Sequence, residues 1–281
     1  MDKKKIKSYL QQESFVPSKK MGQNFLSSMT VKKQIVAAAE ITPNDLIIEI
    51  GPGLGAITEL LVVEAKDVIA IELDKRLSEK LTKEIDVENL RIINDDILQF
   101  DLEGLLKECQ GYHKIKVVAN LPYSISSKII LKLMKLKMID EIIIMVQKEM
   151  AERITAKPRT SDYNAFTVLV SLFCQSKKLF IVKPQSFVPA PRVDSMVISL
   201  SHAPVENVDV DPFYKFVKSC FLMKRKKLTN NLKHLYNIDI VLAAFERLQI
   251  NVDVRPEVLD TNTYMELYKI LEGDKDNESV C

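Results

Sequence analysis

Four short apolar runs, each followed by a different polar signal, set the strongest limit on how this 281-residue chain can fold. Residues 46–50 run into Gly51-Pro52-Gly53-Leu54-Gly55, and residues 68–71 into Glu72-Leu73-Asp74. Residues 90–93 run into Asn94-Asp95-Asp96, and residues 115–119 into Asn120-Leu121-Pro122-Tyr123. Runs of this length, rich in Ile and Val, read as buried strands. Helical stretches between them, such as 56–63, imply parallel βαβ units and therefore an α/β fold with a doubly wound sheet. In such a sheet ligands bind beyond the carboxyl ends of the strands, which is where all four signals fall.

Each signal has its own chemistry. Closely spaced glycines between a strand and a helix let backbone approach a ligand. Glu72 lies 21 positions after Gly51, a spacing that suits a carboxylate accepting hydrogen bonds from ribose hydroxyls. Pro122 cannot extend a strand ladder, and it biases Leu121 toward an extended conformation with a directed carbonyl. Asn120 adds an acceptor oxygen and Tyr123 a flat face. Together they suit a flat heterocycle with an exocyclic amine, such as adenine. Taken singly, an Asn-x-Pro turn or an acidic residue after a strand is ordinary. The ordered set is not.

The remaining chain supplies further elements. Gly22-Gln23-Asn24-Phe25-Leu26 precedes Ser27, Ser28 and Thr30, which can cap a helix through Ala39. Helices are predicted over 126–137 and 147–156, a strand over 142–146, and more core over 165–173 and 179–182. Residues 187–195 (Phe-Val-Pro-Ala-Pro-Arg-Val-Asp-Ser) form a loop stiffened by prolines before a last strand at 196–200. Phe187 is either the second wall of a base sandwich or a core residue. Beyond Ala203-Pro204 the pattern is helical: 212 to about 235, 238–248 and 264–271. A single boundary is therefore expected, giving domains 1–204 and 205–281. Residues 1–20 are expected to be mobile, and the polar tail from Gly273 disordered.

Composition narrows the class. At 47% hydrophobic residues the chain can bury a sizeable core. Net charge is only +2, but residues 1–33 hold eight lysines against Asp2 and Glu13, and residues 213–233 hold seven basic residues and no acidic one. Such patches on a near-neutral protein point to a polyanionic partner. The four cysteines (Cys109, Cys174, Cys220, Cys281) form no Cys-x-x-Cys pair, which argues against a disulfide framework or structural zinc site. No run approaches transmembrane length and no apolar signal core follows the N-terminal lysines, so a cytoplasmic protein is expected.

The motifs at 22–26, 49–55, 72–74, 96, 120–123 and 187–195, in this order, resemble those of the small-subunit ribosomal RNA adenine dimethyltransferase family, the KsgA-type enzymes. The resemblance extends from Gly22 to about Leu271. It implies a Rossmann-like methyltransferase domain with a small helical C-terminal domain, and S-adenosyl-L-methionine as cofactor. Its cofactor contacts would be Asn24, Leu26, Gly51, Gly53, Glu72, Asp96 and Asn120, with Asp95 an open alternative to Asp96. Its catalytic residues would be Asn120, Leu121, Pro122 and Tyr123, joined by Phe187. The implied substrate is two adjacent adenosines in a hairpin loop near the 3′ end of small-subunit (16S) ribosomal RNA, reached within a pre-30S particle by a monomeric enzyme. Lys224, Arg225, Lys226 and Lys227, read as part of a helix, would grip the RNA together with the N-terminal lysines. The plainer reading of that run is a solvated basic face. No metal site or nucleophilic triad is read from the sequence. Three rivals stand beside this reading. One is an NAD-dependent dehydrogenase, since Gly51, Gly53 and Ala56 fit a loose Gly-x-Gly-x-x-Ala pattern. The others are a methyltransferase of large-subunit RNA and a non-catalytic RNA-binding assembly protein.

Overall fold

The computed structural model describes residues 1–18, 21–203, 205 and 208–278, with backbone only from 273 onward. The first elements are α1 (Lys3–Gln12), β1 (Phe25–Leu26), α2 (Met29–Ala38), β2 (Leu46–Ile50), α3 (Thr58–Glu64), β3 (Asp67–Glu72), α4 (Lys75–Glu84) and β4 (Leu90–Asn94). Next come α5 (Leu102–Glu108), β5 (Ile115–Asn120), α6 (Ser126–Met134), β6 (Glu141–Gln147), α7 (Lys148–Ile154), α8 (Ala165–Phe173), β7 (Cys174–Val182), β8 (Phe187–Val188) and β9 (Ser195–His202). Helices α9 (Val210–Cys220), α10 (Leu228–Leu232), α11 (Ile238–Arg247) and α12 (Thr261–Glu278) complete the chain.

A seven-stranded sheet has the order β4-β3-β2-β5-β6-β9-β7. Pairing is parallel from β4 through β6, and β9 joins β6 antiparallel. The chain first steps outward from β2 to β4, then returns to lay β5 on the other side of β2. That reversal makes the crevice between β2 and β5 the topological switch point, where open α/β sheets bind ligands. Register sets the four signals side by side there. Ile50 pairs with Ile71 on β3 and with Ala119 on β5, and Glu72 pairs with Asn94. The helices that return the chain have their own start signals. Asp74 caps α4, Asp101 caps α5 and Ser28 caps α2, each side chain accepting a first-turn N–H.

The chain divides into two compact units, Met1–Ala151 with Lys177–His202, and Glu152–Ser176 with Ala203–Cys281. The last boundary, between His202 and Ala203, lies two residues before the one expected after residue 204. Residues 152–176, expected in the first domain, instead belong with the C-terminal helices. The cause is aromatic packing: Phe166 meets Tyr214 and Phe173 meets Phe213 edge-on, at centroid distances of 6.0 and 6.1 Å. Arg159 N–H also donates to the Glu257 carbonyl at 2.7 Å.

Two terminal expectations are corrected. The N-terminal segment forms α1, capped by Asp2, with Ile6 only 1% exposed. Ile6 packs with Phe15, Phe25, Leu54, Leu77 and Val188, and the apolar surface buried there orders a lysine-rich helix that would be marginal alone. Lys19 and Lys20 lie outside the described residues. At the other end the backbone stays helical from Gly273 to Glu278, and 279–281 lie outside the described residues. Among the described residues no helix is long and apolar enough to cross a membrane.

Candidate active site

A cavity of about 410 Å³ opens in the first unit at the switch point. Its lining includes Asn24, Leu26, Gly51, Gly53, Glu72, Asp95, Asp96, Asn120, Leu121, Pro122 and Tyr123. Those are all the cofactor contacts named from the sequence, and every member of the Asn-Leu-Pro-Tyr motif.

The glycine turn is built for close approach. Gly51 sits at φ +66°, where a side chain is strained, and a Cβ added to it would meet nothing within 4 Å. Gly55, at φ +74°, is fixed for packing instead: a Cβ there would come within 2.7 Å of the Leu81 Cδ2. The turn is locked to the end of β3, because the Gly53 N–H donates to Glu72 Oε2 at 2.9 Å. The other Glu72 oxygen, Oε1, accepts the Asp74 N–H at 2.9 Å. Glu72 is thus a buried carboxylate held at both oxygens, with lone pairs left to accept further hydrogen bonds. Burial raises its pKa, opposed by the N–H bonds from Asp74 and Gly53. After β4, the Asp96 Oδ1 accepts the Leu98 N–H at 2.9 Å, which fixes that carboxylate, while Asp95 is the more exposed of the pair.

At the end of β5, Asn120 Nδ2 donates to the Asn24 carbonyl at 3.2 Å. A carbonyl only accepts, so this contact assigns the amide and leaves Oδ1 as the acceptor on its other side. Leu121 keeps its N–H in the sheet, on the Met145 carbonyl at 3.1 Å. Segment 21–26 covers this side of the cavity. Gln23 ties it down, its Nε2 donating to Asp74 Oδ2 at 3.1 Å and its Oε1 accepting the Ser18 N–H at 2.7 Å.

Two sequence expectations change. Phe187 is 1% exposed and does not line the cavity. It pairs with Leu26 across the β1–β8 ribbon and packs into the core with Leu26, Val182 and Val197. The basic run 224–227 belongs to the second unit and lies in the turn between α9 and α10, not on a helix. Asn231, 0% exposed, holds that turn open by accepting the Met223 N–H at 2.9 Å.

Glu49 lines the cavity although sequence reasoning gave it no role. A lone charged residue in an otherwise apolar, buried strand was the available signal. It is 2% exposed and accepts the Thr58 hydroxyl at 2.6 Å. Burial pushes its pKa up to about 8; the Thr58 bond opposes the shift and the Glu72 charge adds to it. Between the unfolded value near 4.5 and about 8, the folded chain holds a proton that the unfolded chain lacks. Stability therefore falls as pH rises through that window. Glu49→Gln keeps an acceptor for Thr58 and removes the titration. Urea unfolding at pH 5, 6, 7 and 8 should show a steeper decline for the wild type, and parallel curves would refute this assignment.

Comparison with known proteins agrees with this geometry. A family model described as ribosomal RNA adenine dimethylase matches residues 16–273. A ribosomal RNA small subunit methyltransferase A from Ureaplasma parvum is 51% identical over 276 residues, covering 96% of this chain and 99% of that protein. The protein of the same name from Malacoplasma penetrans is 42% identical over 269 residues, covering 95% and 96%. A crystal structure of a dimethyladenosine transferase from Plasmodium falciparum superposes with a TM-score of 0.73 at 28% identity, over 86% of this chain and 95% of that one. With a family model matching over most of its length and a relative 51% identical across 96% of it, this chain belongs to the ribosomal RNA adenine dimethylase family.

Proposed function

We propose that this chain transfers methyl groups from S-adenosyl-L-methionine to the exocyclic amines of two adjacent adenosines, in a hairpin loop near the 3′ end of small-subunit ribosomal RNA. The products are dimethyladenosines. The observation that carries the reading is the Asn120 amide, which lines the switch-point cavity with its Nδ2 committed to the Asn24 carbonyl, leaving Oδ1 as its free acceptor. Relatives named for the small subunit favour it over large-subunit RNA.

The cavity residues fit the cofactor. Gly51 leaves room for close backbone approach, Glu72 offers ribose acceptors, and Asp96, oriented by the Leu98 N–H, offers a carboxylate oxygen to an adenine amine. Both carboxylates are held by a backbone N–H, Asp95 by Asp96 and Asp96 by Leu98, and Asp96 is assigned over Asp95 because it is the less exposed of the two. When bound, the cofactor supplies an electrophilic sulfonium methyl. The chain's task is then to present a poor nucleophile, since the adenine amine shares its lone pair with the ring. Asn120 Oδ1 and the Leu121 carbonyl each accept one amine N–H, which favours a pyramidal nitrogen with its lone pair directed at the methyl. Tyr123 stacks on the base, worth about 1–3 kcal/mol. That offsets part of the few kcal/mol needed to draw the base from its stack. The alkylated nitrogen is acidic enough to lose its proton to water, so placement and electrostatics supply most of the rate.

The substrate is the RNA within a pre-30S particle in the cytoplasm, and the enzyme acts as a monomer. The test is methyl transfer from labelled cofactor to purified small subunits, large subunits and naked RNA, with the modified base mapped. Dimethyladenosine confined to small subunits supports the reading, and label in large subunits alone overturns it.

The basic turn is assigned to phosphate contact. Lys224 Nζ donates to the Ser161 carbonyl at 2.6 Å and Lys227 pairs with Asp253 at 2.5 Å, so these two hold the turn in shape. Arg225 and Lys226 are exposed. Replacing all four by Gln is expected to weaken subunit affinity and flatten its salt dependence, by up to about one log–log unit per lost phosphate contact. Arg225→Gln with Lys226→Gln should account for most of that change, with cofactor affinity unaltered. An unchanged slope with full activity would make the turn a solvated surface only.

A further inference from the structure

Phe187 is withdrawn into the core, yet the proline-rich loop it begins meets a cavity-lining residue, Tyr123, through its other end. Ser195 opens β9, is 0% exposed, and pairs with Gln147 of the neighbouring strand. Its Oγ lies 2.6 Å from the Tyr123 phenol oxygen. The geometry points to Ser195 as a positioning residue that holds the Tyr123 ring at the angle needed to stack on the target base, an inference that rests on the reading above.

Tyr123 is tethered at both ends. At its backbone, the Ser126 hydroxyl donates to the Tyr123 carbonyl at 3.2 Å, and the Ile125 N–H closes a turn on the Pro122 carbonyl at 3.2 Å. At its tip, Ser195 takes the phenol. A tyrosine side chain turns about two bonds, and a half-buried ring at a cavity mouth would sample several orientations if its tip were loose. Only one of these presents its face to a base entering beside Asn120. Ser195 cannot follow a wandering ring, because its backbone is fixed in the β6–β9 ladder. Ordering is thus done in the fold before RNA arrives, the usual gain of a preorganised site. The phenol is held by the serine and the ring's face is left to the base, which separates the two roles of one side chain. The plain alternative is a satisfied buried hydroxyl with no bearing on the base.

A double-mutant cycle separates them. Ser195→Ala and Tyr123→Phe each remove one partner of the same bond, and both keep the aromatic face. Each is expected to lower kcat on unmethylated small subunits about 3- to 10-fold, the factor one neutral hydrogen bond is worth, with KM for the subunit and Kd for the cofactor unchanged. The double variant should lose no more than either single one, because the bond is already gone. A second readout uses a small-subunit RNA hairpin carrying 2-aminopurine at the target position. Stacking on Tyr123 quenches its fluorescence, and quenching should be weaker in Ser195→Ala than in wild type. Additive losses, or single variants with wild-type kcat and quenching, would overturn the assignment. Failure of the wild type to methylate small subunits would instead defeat the underlying reading.

Discussion

Asn120→Ala is expected to lower the rate of methyl transfer by about 10²–10³-fold, the usual loss when one preorganised dipole is removed from a reacting centre. Two features of the site argue for a loss this large. The amide is the side chain at the cavity whose acceptor direction is fixed from behind, by donation to the Asn24 carbonyl at 3.2 Å. Of the two acceptors assigned to the amine, its oxygen is the one that substitution removes, since the Leu121 carbonyl belongs to the backbone. Folding should be nearly untouched. Asn120 is half-buried at a strand end, and one neutral hydrogen bond contributes about 1 kcal/mol. Losing the tether to Asn24 slackens segment 21–26, so cofactor affinity should fall modestly as well. Single-turnover methylation at saturating cofactor separates the two effects, and thermal melting checks the fold. A variant that methylates at the wild-type rate would remove Asn120 from the chemistry.

How much of this site could be read from the chain depends on the range of the interactions that build it. The strands and their terminal signals were legible because they are local. Leu46–Ile50, Leu90–Asn94 and the rest are short Ile- and Val-rich runs, and Gly51, Glu72, Asp96 and Asn120 follow directly in sequence. A parallel sheet then aligns those ends without any further choice. Phe187 was not legible for the opposite reason. Its neighbours Val188 and Pro189 are the same whether the ring faces a base or the core. The choice is made by Leu26, 161 positions away, which pairs with it in the β1–β8 ribbon. Ser195 and Tyr123 likewise meet only through the β6–β9 pairing.

The basic run shows a subtler limit. Helix-compatible residues on both sides predicted one continuous helix from 212 to about 235, but Asn231 satisfies the Met223 backbone and Leu228 N–H bonds the Val254 carbonyl at 2.8 Å. At Met223 and Leu228 a side chain and a distant backbone carbonyl take the N–H groups that a continuous helix would have bonded within itself. Helix α1 was the readable case that was missed. Asp2 is a capping residue, and Ile6, Tyr9 and Leu10 fall at helical spacing, so the signal was present beneath the lysines. That helix braces the site indirectly: Ile6 packs with Phe25, Leu54 and Leu77, three residues that line the cavity from its other side.

Glu72→Ala should raise the cofactor Kd by about 10- to 10²-fold, corresponding to the roughly 1.5–3 kcal/mol of a hydrogen bond to a charged group. The carboxylate does two things at once. Its Oε2 holds the Gly53 N–H and its Oε1 holds the Asp74 N–H, each at 2.9 Å, and under the proposed function its remaining lone pairs accept from the ribose. Removing it leaves two backbone donors without an acceptor and loosens the glycine turn on one side and the start of α4 on the other. Glu72→Gln is the sharper probe. An amide has one acceptor oxygen and one donor nitrogen, so whichever way it lies, its NH₂ faces a backbone N–H. The substitution that is conservative in shape is therefore expected to be as damaging as alanine. A simple ribose-binding role through one oxygen would predict the reverse, with Gln retaining most of the affinity. Calorimetric titration of both variants with S-adenosyl-L-methionine decides between them. Wild-type affinity in Glu72→Ala would remove the residue from the cofactor site altogether. Near-wild-type affinity in Glu72→Gln alone would show that the paired backbone donors are not what holds the carboxylate in place.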